Sequence, residues 1–160
     1  MQRAQRAFEA LQNALQSRLL ATLGAQGPAA AVAVCKVEAP QIATDLARRH
    51  DLELGRTSHR LRNPANAPRP WVVPYLARAA GRQASEVQPV VVDLGDRVGV
   101  LKPIATGGPC LLCHGDPEGF APELKTRLAE LYPNDRATGF REGEFRGFFW
   151  AEVKKSGRVP

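Results

Sequence analysis

The sequence predicts an α+β domain in which helices come first and an antiparallel sheet follows. Three observations carry this. Phe8, Leu11, Leu15, Leu19 and Leu23 recur at three- and four-residue spacing, the stripe of an amphipathic helix over residues 2–23. Two strand-like runs, Val87 to Leu94 and Arg97 to Ile104, flank Gly95–Asp96, a pair suited to a hairpin turn. Helices gathered before strands, without strand–helix alternation, give the α+β pattern.

The elements follow in order. Gly24 and Gly27 end the first helix. Pro28 suits the first position of a second helix reaching about Glu38, and Pro40 predicts a kink or restart before a third stretch, Gln41 to His50. Ala31 to Cys35 reads equally well as helix or short strand. The segment from Gly55 to Pro70 contains Asn63–Pro64, Ala67–Pro68 and Arg69–Pro70, which predicts an irregular but ordered loop. Trp71 to Ala80 reads as a short helix, Pro122 to Leu131 as another, and Phe145 to Val153 as a closing strand. A chain of 160 residues fits one domain, 1–160, able to bury a core without disulfides.

Composition narrows the partners. Apolar residues at 44% and charged residues at 24% are ordinary for a globular domain. The net charge is +6, but bases alternate with acids, as in Arg141, Glu142, Glu144 and Arg146. Only clustered positive charge makes a nucleic-acid stripe, so no nucleic-acid partner is expected. No apolar run approaches the roughly 18 residues that span a membrane, so no integral membrane segment is expected. Arg3, Arg6 and Glu9 also interrupt any signal-peptide core.

Cys110–Leu111–Leu112–Cys113–His114 has the spacing of a c-type haem attachment site. Two thiols add across the porphyrin vinyl groups, two intervening residues let both sulfurs reach, and the next histidine falls under the iron. One covalent haem c is expected. A thioredoxin-like pair shares the cysteine spacing but belongs to a βαβ context. Zinc is a poor fit, because adjacent Cys113 and His114 chelate one ion badly. Haem attachment of this kind takes place outside the cytoplasm, so a periplasmic or otherwise extracytoplasmic protein with its targeting segment removed is expected.

Methionine cannot readily supply the second axial ligand, since Met1 is the sole methionine and lies at the terminus. Cys35, His50, His59, a lysine or no residue remain. Cys35 follows the apolar stretch Ala29 to Val34, where a free cysteine usually serves as a small buried hydrophobe. His50 lies in the polar run Arg48–Arg49–His50–Asp51. From the residues alone Cys35 and His59 stand nearly level. The Arg-rich loop from Arg56 through Arg60 to Arg62, with Asn66 beyond it, offers pocket residues or cations for haem propionates. The same arginines read equally as plain surface charges or as residues that pin the loop.

Further pieces carry a resemblance. They are Ala33–Val34–Cys35 with Ala39–Pro40 and Ile42–Ala43, Gly55–Arg56–Thr57–Ser58, and Arg62–Asn63–Pro64–Ala65–Asn66–Ala67–Pro68. Downstream come Lys102–Pro103–Ile104, Cys110 to Gly115, Tyr132–Pro133 with Asp135, Ala137 and Gly139, and Arg141 to Gly147. In this order, over nearly the whole chain, they resemble a family of c-type haem domains typified by a cyanobacterial Tll protein. That family is found as free periplasmic proteins and at the sensory end of histidine kinases. The resemblance implies a PAS-like fold and His/Cys axial ligation with Cys35 as the distal thiolate, which places Cys35 ahead of His59. Phe148–Phe149–Trp150 is bulkier than the resemblance leads one to expect.

A thiolate ligand favours ferric iron and lowers the reduction potential. The expected function is a redox or diatomic-gas sensor, with CO or NO entering where Cys35 leaves on reduction. The alternative is a low-potential electron carrier docking an acidic redox partner protein. Enzymatic turnover is not expected, since no distal His–Arg pair is evident.

Overall fold

The computed structural model describes residues 1–155, so the end of the expected 1–160 span lies outside the described residues. The first helix, α1 (Gln2–Arg49), is bent at Gly27, whose φ of 79° and ψ of −179° are open in practice only to glycine. Its two arms, 2–26 and 28–49, run back along each other. Arg18 forks onto Glu38 at 2.5 and 2.8 Å, and Arg3 reaches Asp51 at 3.3 Å. Gly27 and Pro28 therefore turn and restart the helix as their residue types predict. Pro40 does not, and the second arm runs through it into 41–49 as one helix. The lost N–H bond is offset by packing on both sides, with Ala39 buried and Ala43 against the core. Ala31 to Cys35 is helical.

By length and composition α1 passes for a segment able to cross a membrane. That goes further than the sequence reading, which counted uninterrupted apolar runs. The Gly27 turn divides the helix between two antiparallel arms.

Four antiparallel strands follow: β1 (Glu53–Thr57), β2 (Val90–Asp93), β3 (Arg97–Ala105) and β4 (Phe145–Lys154), in the order β1-β4-β3-β2. β1 corrects the expectation of a loop from Gly55 onward. Its sequence has a single large apolar residue, Leu54, and no alternating pattern to read. It becomes a strand because β4 would otherwise present an unpaired edge, and it pairs from Glu53↔Glu152 to Thr57↔Phe148. β2 starts at Val90 rather than Val87, because Ala84–Glu86 form a 3-10 turn and Pro89 cannot donate to a ladder. The hairpin turn lies where expected, with Gly95 at φ 88°.

β4 is buried on both faces. Phe149 and Ala151 meet Phe8, Leu11 and Val100 beneath α1, while Phe148 packs with Val72, Leu76, Leu101 and Phe145 beneath α2 (Val73–Ala79). Alternation thus sends the two phenylalanines to opposite cores. Trp150 lies over Gly55, where an added Cβ would come within 2.6 Å of the indole. A third apolar cluster joins the second arm of α1, through Val32, to α3 (Leu111–His114) and α4 (Pro122–Leu131). Its other members are Cys113, Phe120, Leu124, Leu128 and Tyr132.

Candidate haem site

The Cys110–His114 segment turns through a 3-10 turn, Gly108–Cys110, into the single-turn helix α3. The Gly115 N–H closes that turn on the Leu111 carbonyl at 2.9 Å. A Cβ at Gly115 would sit 2.6 Å from the same oxygen, so glycine is what lets the chain leave so tightly. Cys110 is half-buried, Cys113 is buried, and both are free thiols. Separated by three positions, they rise from one side of the turn. Burial pushes the Cys113 thiol up from its ordinary value, and the Arg62 charge partly opposes this.

Residues 135–140 clamp α3. Gly139 N–H donates to the Gly115 carbonyl at 2.7 Å and Phe140 N–H to the His114 carbonyl at 2.9 Å. The His114 Nδ1 lies 2.6 Å from the Ala137 carbonyl, which can only accept, so Nδ1 carries the proton. Asp135 holds this loop by accepting from Ala137 N–H at 2.8 Å and from Arg62 Nε at 2.9 Å. Arg62 also donates to the Cys113 carbonyl at 2.5 Å. Burial, reinforced by the charges of Arg146 and Arg62, holds His114 well below the usual imidazole range. The ring is therefore neutral at pH 7, with Nε2 left as a lone pair. Metal-bound histidines are commonly fixed in this way, with the second nitrogen on a carbonyl.

Cys35 lies on the second arm of α1. It lines a cavity of about 160 Å³ whose walls include Ala39, Gly55, Arg56, Asn63 and Asn66. Cys35 is also near enough for its charge to raise the Cys113 thiol and the Tyr132 phenol, the latter pushed up to about 12 chiefly by burial. Cys35, Cys113 and the Arg56–Asn66 segment, distant in sequence, thus converge. Asn66 and Arg56 stay among the pocket residues. Arg60 and Arg62 do not remain free cations: Arg60 pairs with Glu144 and donates to the Thr138 carbonyl at 2.9 Å, and Arg62 is spent on Asp135 and Cys113. Here the reading of these arginines as loop pins holds for two of the three.

His59 is packed between Phe145 and Phe140, with ring centroids 5.8 Å from each. Its Nδ1 is buried without a partner. Burial, and then the Arg60 and Arg146 charges, lower its pKa. His50 caps the end of α1. Among the described residues no three His, Cys, Asp or Glu side chains gather as a metal cage.

Sequence reasoning missed Arg146. It is half-buried, donates to Ser58 Oγ at 2.8 Å and to the Arg60 carbonyl at 3.4 Å, and stacks over the Phe140 ring at 4.8 Å. Burial, with Arg56 and Arg62 nearby, pushes its guanidinium down to about 9. No carboxylate pairs with it among the described residues. The available signal was its place in the Arg141–Gly147 segment of the resemblance.

Fold and site together define an α+β domain built around a Cys-X-X-Cys-His turn, with a third cysteine brought up from an N-terminal helical hairpin. The model of the Tll0287-like family matches residues 1–153, and the chain belongs to that family. The crystal structure of the cyanobacterial heme-protein Tll0287 is similar, with a TM-score of 0.72 at 23% identity over 96% of this chain and 94% of that one. No curated protein sequence matches.

Proposed function

We propose that this chain carries one covalent haem c, which Cys110 and Cys113 would attach and His114 and Cys35 would hold at the iron, and acts as a periplasmic redox or diatomic-gas sensor. The observation that carries the reading is the His114 imidazole: neutral, oriented by the Ala137 carbonyl, and presenting Nε2 directly after two free thiols. The family relative described as a heme-protein supports it. When bound, haem supplies a one-electron iron couple and a coordination position for diatomic ligands.

The chain's own residues do the rest. Val32, Phe120, Leu124 and Leu128 exclude water around Cys113. Cys35 would offer a sulfur donor, and a thiolate donor favours ferric iron. The cavity beside it gives the side chain room to withdraw. Four strands carrying a helical hairpin on one face form a PAS-like scaffold in this reading, able to pass such a change to a partner.

A second reading, a low-potential electron carrier, draws on the net charge of +6, which favours an acidic partner. Cys35→Ala tests the first. The ferric spectrum should change and the midpoint potential rise, whereas an unchanged spectrum removes Cys35 from the iron. CO binding to the reduced protein with slow electron exchange supports sensing. Rapid, salt-sensitive exchange with no change on reduction supports the carrier.

A further inference from the structure

We propose that Arg146 and Arg56 form a seat for carboxylates, and that the carboxylates it takes are the propionates of the porphyrin. The inference rests on the haem reading above and deepens it.

The seat is built by a defect in the sheet. The β3–β4 register runs from Pro103↔Phe148 to Ile104↔Gly147 and then jumps to Ala105↔Phe145. Arg146 is the extra residue, opposed by nothing. A bulge of this kind bends a strand and re-aims the side chain it expels. Gly147 makes the bulge possible: its φ is 151°, and a Cβ there would run into the Thr57 carbonyl oxygen. The expelled side chain is then fixed at both ends. Ser58 Oγ accepts from the guanidinium at 2.8 Å and donates to the Arg146 carbonyl at 2.6 Å.

Those partners are neutral. A guanidinium has five N–H donors, and a half-buried one without a counter-charge keeps both hydrogen-bonding capacity and charge to offer an anion. The surrounding arginines are balanced by the protein: Arg60 has Glu144 and Arg62 has Asp135. Arg146 and, on the neighbouring strand β1, Arg56, whose charge acts on it, make no ion pair among the described residues. Both are close enough to His114 for their charges to act on its ring. Two uncompensated positive charges therefore flank the imidazole that would hold the iron. A group with two carboxylates beside that imidazole is their complement, and the forked guanidinium matches a carboxylate in two parallel hydrogen bonds.

The test uses haem-loaded wild type, R146Q, R146K and R56Q, each checked by mass for covalent haem. In R146Q the ferric to ferrous ratio at fixed potential should move about tenfold toward ferric, equivalent to about 59 mV for one electron. The propionate bending band in the resonance Raman spectrum should shift as well. R146K should recover most of the potential, because charge returns, but not the band, because the fork does not. R56Q should show the same signs with smaller size, and it carries the test if R146Q does not fold. Unmoved potential and band in folded, haem-bearing R146Q or R56Q overturn the proposal while leaving the haem reading intact. A potential in wild type that responds to added sulfate or phosphate, and loses that response in R146Q, gives the seat to a soluble anion and also overturns it. Wild type without covalent haem removes the parent reading and this inference together.

Discussion

The two ends of the β1–β4 pair use the same residue types to opposite effect. At one end Glu53 and Glu152 face each other across the ladder and are shared by Arg69 and Arg97. The Trp71 indole N–H adds a hydrogen bond to Glu152 at 2.8 Å. At the other end Arg56 and Arg146 pair with no acid among the described residues. The paired end also opens onto the larger recess, about 490 Å³ against about 160 Å³ beside Cys35. The paired end completes its own electrostatics, while the unpaired end has two cations that no carboxylate among the described residues balances.

The largest effect should come from the residue that makes the unpaired end. Gly147→Ala forces a Cβ toward the Thr57 carbonyl and should cost about 3 kcal/mol. The thermal midpoint should fall by about 10 °C for a domain of this size. A wild-type melt would mean that the bulge does not depend on glycine.

Next, the two ends should respond differently to loss of charge in a C110A/C113A background, where no haem attaches. Glu152→Ala leaves the Trp71 N–H and two guanidinium groups short of a partner and should cost about 2 kcal/mol. Arg146→Met removes an uncompensated charge and should change stability by no more than about 1 kcal/mol in either direction. Equal losses at both ends would break the contrast.

The smallest effect is on acid stability. Burial pushes Glu53 up, but hydrogen bonds from Arg97 and Arg69 outweigh it and hold its carboxyl below the usual range. A depressed carboxylate stabilises the fold above its unfolded-state pKa, and that contribution fades as pH falls through the lower folded value. Glu53→Gln should therefore narrow the gap between neutral and acid melting temperatures. Glu53 is half-exposed, so added salt should screen its pairs at neutral pH and shrink the same gap in wild type.

Much of this was legible in the chain. The Cys110–His114 turn, α4, the β2–β3 hairpin and the Gly27–Pro28 break each rest on local chemistry, which spacing and residue type disclose. β1 was not legible, because Glu53 to Thr57 becomes a strand only through its pairing with β4. Pro40 misled for the same reason, since tertiary packing overrode a local breaker. The resemblance ordered Cys35 ahead of His59, and the folded chain places Cys35 on the cavity shared with Arg56 and Asn66. Arg146 was hidden because a bulge is a relation between two strands, and neither strand's sequence records it alone.

The measurement closest to the central claim is the intact mass of mature protein made with haem-attachment machinery, for wild type and for C110S/C113S. Wild type should carry the mass of one haem, retained under denaturing conditions, and the double variant should not. A colourless wild type at the mass of the bare polypeptide would contradict the account.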